Sequence, residues 1–552
     1  MEVNNIVHKP TRRSVDYHPS VWGDYFLAYD SSLTEIYPDE EQEVEVLKEE
    51  VRKMLVSDHA VSTQKLELID MIQRLGVSYH FENEIEESLK HIYNSCSEFD
   101  DNDEDHNMLE TVALRFRLLR QAGYNVPCDV LEEFMDDEGK FKEVLVSDVK
   151  GILSLYEAAH VGVEGENILE EALAFTTTRL KSVVPNLSGL LLAQVAHALK
   201  MPIQRTLERV AARQYINIYK DSPKHNELLL RFARLDFNML QKVHQKELCG
   251  ITRWWKDLDV ERNFSFARNR VVEAYFWILG VYFEPQYCRA RIFTTKVISL
   301  ASILDDLYDV YGTLDELKMF TDAIERWDIN ASKQLPPYLK LLYHYILDVF
   351  AEMEELLVNE NKSYRIHYAK AELKKVCKAY YQEFKWYDAG YIPTFEEYLK
   401  MALVTACHML LSTISLVGMG EIVTKENFDW ITSEPLMVKA SSIVCRLMDD
   451  RVGHQFEQER GHVASAVESY MKEFGGSKQE AYAKFEKLVA NGWEDVNKEC
   501  LYSVPAPRPI LLRVLNLTRV INLLYKDEDL YTNSKTKLKD IITKVLVEPF
   551  KT

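Results

Sequence analysis

Nearly every segment of this chain repeats its apolar residues at helical period, and strand-type alternation is essentially absent. LEEALAFTTTRLKSVV (169–184), SGLLLAQVAHALK (188–200) and HYAKAELKKVCKAYYQEFKWY (367–387) show the pattern. With 19 glycines and 16 prolines in 552 residues, little interrupts it. The expected fold is therefore all-α, with two or more domains at this length. A polar connector, KDSPKHNE (220–227), separates a first helical part from a second that carries every acidic motif. Two domains follow, 1–230 and 231–552. No internal repeat of about 20–50 residues is visible.

The net charge is −21, with 87 acidic against 66 basic side chains. That argues against an extended nucleic-acid or anionic-membrane surface and leaves room for a local basic pocket for a small anion. The eight cysteines are scattered, with no CxxC pair and no Cys/His cluster, as in a reduced intracellular protein. The opening MEVNNIVHKPTRRSVDYHPSVWGDYF has no apolar h-region and is short for a transit peptide, so a cytoplasmic location is expected. The longest apolar stretches, such as AYFWILGVYF (274–283), reach about half of the roughly 20 residues a membrane span needs, so none is expected.

The chemistry concentrates in DDLYD (305–309), inside the apolar run VISLASILDDLYDVYG. Asp305 and Asp309 are four apart and share one helix face. Buried carboxylates are costly unless cations neutralise them. Oxygen-only ligands without a nearby His or Cys favour magnesium over zinc, and magnesium held by few carboxylates completes its shell with water and phosphate oxygens.

A second acidic element lies in SSIVCRLMDDRVGHQFEQERGH (441–462). Arg446, Asp449, Gly453, Glu457 and Arg460 follow at intervals of 3, 4, 4 and 3, which makes one stripe on a helix. Asp449 and Glu457 would hold a divalent ion, Gly453 would leave space for it, and the two arginines would grip phosphate oxygens. The alternative is a surface helix with intrahelical salt bridges, against which the apolar SSIVCRLM approach argues. Upstream, Arg268 and Arg270 precede Trp277 in FSFARNRVVEAYFWILGVYFEP (264–285). The arginines would stabilise a departing diphosphate, and the indole face a carbocation, by about 2 kcal/mol or more when desolvated.

Taken together, these motifs resemble the plant class I sesquiterpene synthases, over essentially the whole chain. DDLYD matches the DDxxD magnesium motif at Asp305, Asp306 and Asp309. DDRVGHQFE matches the second metal motif at Asp449, Gly453 and Glu457. RNR matches the RxR diphosphate clamp, and Trp277 the active-site aromatic. RRSVDYHPSVW matches the N-terminal pattern at Arg12, Arg13 and Trp22, while GVYFEPQY (280–287) and ERWDIN (325–330) also look like family signatures. The resemblance implies two all-α domains: an N-terminal relic α-barrel without its own site, and a C-terminal catalytic bundle. SEFDDNDEDHN (97–107), a solvated acidic loop, does not match a DxDD protonation motif, in keeping with that relic role. An N-terminal strand would cap the catalytic pocket. YKDEDLYTNS (525–534) looks like the lid loop, with Tyr525, Asp529 and Tyr531 facing the pocket, and Glu383 matches a carboxylate near the metals. Gly453 stands where the family most often has Ser or Thr, and Leu530 where it usually has Gly, a replacement unsuited to a turn of positive φ.

The implied activity is magnesium-dependent ionisation and cyclisation of farnesyl diphosphate to a cyclic sesquiterpene hydrocarbon or alcohol, of germacrene or cadinene type. Three magnesium ions are expected on Asp305, Asp309, Asp449 and Glu457, with Asp306 in support and manganese as a substitute. Trp277, Tyr525 and Tyr531 would form the aromatic wall, and Thr405, Ala406, Cys407 and His408 the floor, in a helix whose small and β-branched residues allow a local break. Ordinary core packing is the alternative for these four. The other readings are a monoterpene synthase on geranyl diphosphate, a chain-elongating prenyltransferase and a catalytically silent helical scaffold. A monomer without nucleic-acid partner is expected.

Overall fold

The computed structural model describes residues 12, 15–29, 34–57, 62–95, 108–223, 225–459, 464–501 and 504–551. Among them the chain is helical throughout, with one isolated bridge, Met135 to Phe141, and no strand. Three of the calls made from sequence fall outside these residues: Arg13, the 97–107 loop and Arg460.

The first part is a set of short amphipathic helices. Val51, Leu55, Ile69, Ile72, Phe81 and Leu89 point inward from the Pro38–Val56, Ser62–Arg74 and Glu82–Asn94 helices and the turn between the last two, and close one core. The connector at 220–227 does lie between two helices, Glu208–Lys220 and Glu227–Asp257. A boundary at 230 falls in the first turn of the second of these. That 31-residue helix serves both parts. Leu229, Phe232, Ala233 and Phe237 complete the first core, whereas Leu240, Leu248, Ile251 and Trp255 belong to the second. The end of the chain returns to the same helix. Gln241 and Gln245 donate to the Val545 and Leu546 carbonyls at 2.9 and 2.7 Å, satisfying acceptors that the last turn of Lys537–Leu546 leaves free.

The second part is a bundle around Val271–Val281, where every residue but Gly280 is buried. Each fully buried Val, Ile, Leu or Phe there contributes about 1.5–3 kcal/mol. Against it pack Cys288–Asp306, which carries the first acidic motif, and Arg508–Tyr525. Capping boxes start four described helices of the bundle, through Thr313 with Glu316, Thr394 with Glu397, Thr424 with Asn427, and Ser465 with Glu468.

The segment Phe395–Val417 is longer than the stretches singled out from sequence: 23 residues containing an 18-residue window of mean hydropathy 1.5, enough by length and composition for a membrane span. It is broken at Cys407 and 61% buried inside the bundle, which accounts for its apolar character.

Candidate active site

Cys288–Asp306 runs into a π-helical turn, Leu307–Tyr311, closed by the Gly312 N–H donating to the Leu307 carbonyl at 2.8 Å. Turns of this kind recur at functional sites because they re-aim a helix face. This one carries Asp309. Facing it, Leu436–Glu459 brings Arg446, Asp449 and Asp450. A cavity of about 30 Å³ lies between the two elements, lined by Asp305, Asp309, Glu383, Thr405, Arg446 and Tyr380 among others. Residues nearly 150 positions apart in sequence are thus brought onto one space.

Within each acidic pair the two carboxylates differ. Asp306 is 1% exposed and accepts from the Tyr17 hydroxyl at 2.9 Å and from the Arg268 backbone N–H and Nε at 2.8 and 3.1 Å. It holds an arginine and is absent from the cavity lining, a position that does not suit the metal-supporting role expected of it. Asp305 keeps 32% of its side-chain surface open and pairs with the tip of the same guanidinium. Asp450 repeats the first arrangement, accepting from the Tyr398 hydroxyl at 2.5 Å, Arg446 Nε at 2.6 Å and the Ala466 N–H at 2.8 Å. Asp449 repeats the second, 24% open and paired with the Arg446 tip, but at the cavity the order is reversed: Asp450 lines it and Asp449 does not. Burial, and then the neighbouring Asp309 carboxylate, push Asp305 up to about 6 against the pull of Arg268. Burial alone would lower Arg268, but Asp306, Tyr17 and Asp305 outweigh it and hold it well above its ordinary value.

Trp277, Tyr525 and Tyr531 meet edge to face, with ring centroids 6.2 Å apart for Trp277 to Tyr525 and 5.5 Å for Trp277 to Tyr531. The Tyr531 hydroxyl donates to Ser302 Oγ at 3.1 Å, one turn before Asp305, and Arg268 lies 5.6 Å over the Tyr531 ring. Burial raises both phenols, Tyr531 to about 12, so this aromatic cluster is neutral; none of its three rings lines the 30 Å³ cavity. Asp529 accepts the Thr532 N–H at 2.9 Å and so shapes its own loop. Leu530 is buried, lies outside the positive-φ region, and donates its N–H to the Leu524 carbonyl at 3.0 Å; the loop is built without the turn a glycine would supply.

The floor segment breaks between Phe395–Thr405 and His408–Val417, at Cys407, whose φ is +61°. Thr405 donates to Glu383 Oε1 at 2.9 Å, and the Tyr380 hydroxyl lies 3.4 Å from Cys407 Sγ. Burial raises the Cys407 thiol to about 12. His408 turns away into the core, fully buried and 2.7 Å from Ser441 Oγ.

Arg270 is not beside Arg268 at the cavity. It is 1% exposed, and its guanidinium donates to backbone carbonyls, those of His18 at 3.1 Å, Tyr531 at 3.3 Å and Thr532 at 3.0 Å. Gly453 is buried in its helix, and Glu457 follows one turn later, its side chain outside the described residues.

Among the described residues no group of three His, Cys, Asp or Glu side chains converges as a metal cage. Arg268 and Arg446 sit on the carboxylates instead. The donors that line the cavity are nonetheless carboxylate and hydroxyl oxygens, a set that fits a hard divalent cation. Tyr17, Tyr398 and Asp450 were not assigned from sequence. Tyr17 lies within the N-terminal Arg and Trp pattern, whereas nothing near Tyr398 marks it. A larger cavity, about 1080 Å³, lies apart, lined by Thr34, Lys246, Glu247, Trp254 and Lys296. Two of its charged groups are paired, Glu247 with Arg291 and Lys296 with Glu352.

Residues 21–199 match the model of the terpene synthase N-terminal domain, and residues 256–495 that of the terpene synthase family metal binding domain. The chain is 55% identical over 545 residues to (−)-germacrene D synthase of Vitis vinifera, covering 99% of this chain and 97% of that one. It is 51% identical over 545 residues to (E,E)-germacrene B synthase of Solanum habrochaites, covering 98% of each. Among solved structures, isoprene synthase of grey poplar, in complex with three Mg2+ ions and dimethylallyl-S-thiolodiphosphate, superposes with a TM-score of 0.87 at 33% identity, over 96% of this chain and 99% of that one.

Proposed function

The chain belongs to the terpene synthase family, and on that premise we propose how its residues divide the work of a sesquiterpene synthase, a lyase that ionises farnesyl diphosphate and releases diphosphate and a cyclic sesquiterpene. The observation that carries this reading is the meeting of Asp305 and Asp309 with Arg446 and Thr405 on one cavity.

Asp305 and Asp309 on one wall, and Asp449, Gly453 and Glu457 on the other, would hold the divalent metal, magnesium with manganese as a substitute. The three Mg2+ ions of the isoprene synthase complex support three here. Bound there, magnesium supplies Lewis-acid neutralisation of the diphosphate. Arg268 and Arg446 are held through Nε by Asp306 and Asp450, while their outer N–H groups rest on Asp305 and Asp449; with those two carboxylates drawn to a divalent metal, the outer N–H groups would turn to forked hydrogen bonds with phosphate oxygens. Arg460 would extend that grip.

In the reaction the C1–O bond breaks, its electron pair leaves with diphosphate, and an allylic cation remains. Trp277, Tyr525 and Tyr531 present π-electrons to it. The C-terminal end of the Phe395–Thr405 helix, with Thr405 on the cavity, adds partial negative charge. Ring closure then ends by loss of a proton or capture of water. The products of the two relatives support a germacrene-type first closure.

The test is incubation of the purified protein with farnesyl diphosphate and magnesium, with gas chromatography and mass spectrometry of the extract. Cyclic sesquiterpenes that vanish on chelation are expected. Turnover of geranyl diphosphate with farnesyl diphosphate inert would overturn the substrate assignment.

A further inference from the structure

Two stretches far apart in sequence close over the catalytic bundle. The first runs from Val15 to Tyr29 and is pinned by the Tyr17 hydroxyl on Asp306 and by Trp22 and Phe26 in the core. The second is the loop from Lys526 to Thr536, ahead of the last helix. Both end on one side chain. Arg270 Nη2 donates to the carbonyls of His18 and Thr532 at 3.1 and 3.0 Å, Nε to that of Tyr531 at 3.3 Å, and Nη1 to that of Asn269 at 2.9 Å. Behind it sits Glu273, 1% exposed and one turn along the same helix, its carboxylate buried near the Trp22 indole N–H and the Ser534 hydroxyl without a hydrogen bond to either. The indole comes from the first stretch and the hydroxyl from the second; the guanidinium alone is hydrogen-bonded to both segments.

A guanidinium with 1% exposure and four of its five N–H groups on backbone carbonyls has at most one left and cannot make a forked pair of bonds to a phosphate in the cavity. We propose that Arg270, backed by Glu273, is a positioning residue that rivets the N-terminal strap and the C-terminal loop together, so that the two cover and uncover the site as one unit. Arg268, two residues earlier, is the arginine of the pair that meets the substrate. The division follows from geometry: Arg268 reaches Asp305, Thr532 Oγ1 and the Tyr531 ring on the cavity side, and Arg270 reaches only main chain. Because backbone carbonyls are the acceptors, the device is indifferent to most side-chain changes in either segment and depends on the planar fork of arginine, which a lysine cannot reproduce.

The experiment compares Arg270→Lys with wild type and Arg268→Lys, in two measurements. Amide hydrogen exchange of the ligand-free protein is expected to rise about tenfold or more in Arg270→Lys at residues 17–24 and 529–536 together, with the Val271–Val281 helix changing less than about twofold. Inhibition by inorganic diphosphate with magnesium should stay within about twofold of wild type for Arg270→Lys and weaken about tenfold or more for Arg268→Lys. Exchange that rises in one segment alone, or in neither, overturns the rivet, as does a loss of diphosphate inhibition equal to that of Arg268→Lys. The inhibition measurement rests on the cavity being the diphosphate site. If neither variant alters inhibition, that reading fails, and the exchange measurement still judges the rivet. Should Arg270→Lys not fold, Arg270→Gln, which keeps a planar donor group but cannot span both carbonyls, is expected to raise exchange in the same two segments, and an unchanged pattern there overturns the proposal.

Discussion

Adjacent aspartates in each acidic motif have opposite surroundings, and the difference sets what each can do. Asp306 and Asp450 are 1% exposed, and each accepts three hydrogen bonds, one of them from a tyrosine and one from an arginine side chain. Removing a charge from such a cluster leaves the arginine uncompensated, at a cost of about 3–5 kcal/mol. Asp306→Asn is therefore expected to lower stability by about 3 kcal/mol in chemical denaturation and to reduce turnover as Arg268 loses its anchor. Asp305→Ala should do the reverse. It removes a carboxylate already strained by its neighbour Asp309, so stability holds while turnover falls about a hundredfold or more. Equal destabilisation by both variants would contradict this division. At Gly453, a serine adds a hydroxyl of the kind that ligates magnesium. Gly453→Ser is expected to need no more magnesium for half-maximal turnover than wild type, and complete inactivity would mean that the position must stay small.

At the scale of elements, helical period and the spacing of the acidic residues were enough to read an all-α bundle with Asp305, Asp309, Arg446 and Asp449 on facing helices. Spacing reveals a face but not what lies behind it. Tyr17 reaches Asp306 across 289 positions and Tyr398 reaches Asp450 across 52, and no local pattern encodes either. Arg270 was misread for the same reason: Arg-x-Arg places two cations near each other, and only the packed segments show that one faces main chain. The small residues of ALVTACHMLLS allowed a break, while its position rests on Cys407 at φ +61°, a conformation that propensity does not foretell in a cysteine. Gly418 was equally silent. It ends the His408–Val417 helix where this crosses Cys288–Asp306, and a Cβ there would lie 2.5 Å from Ala290 Cα and 2.7 Å from its N. Both are backbone atoms, so no side chain can swing aside. Gly418→Ala is expected to cost about 2 kcal/mol or more, seen as a lower denaturation midpoint. Because the displaced helix carries Asp305, the magnesium required for half-maximal turnover should rise as well. An unchanged midpoint would show that the helices can part without cost.

Across the whole molecule, three histidines are held neutral by burial, one in each structural region. His160 lies in the first part, near Arg205 and Lys526; His244 lies on the shared helix, its Nε2–H donating to the Phe283 carbonyl at 2.8 Å, near Arg291 and Arg209; His408 lies in the bundle, pushed down to about 3 by burial alone. Since only the unfolded chain binds a proton at these sites from about pH 6.5 downward, each contributes stability that is present above that pH and lost as pH falls toward the folded value. Acids raised by burial run the other way, Glu157 and Glu273 among them. Glu208 is raised to about 7 and Asp305 to about 6, so the native state gains protons there and is favoured as pH drops through those values. The net slope of the wild type therefore mixes opposing contributions, and a single variant separates them. His408→Asn keeps a polar group facing Ser441 and removes the titration. It should be less stable than wild type at pH 7.5, and that gap should narrow by about 1.4 kcal/mol by pH 5.5, the free energy of one proton bound to the unfolded wild-type chain with a pKa near 6.5. Denaturation of both proteins at the two pH values measures it. A gap that stays constant would mean that His408 takes up its proton without unfolding, and that the bundle around the floor helix admits water or an anion at that point.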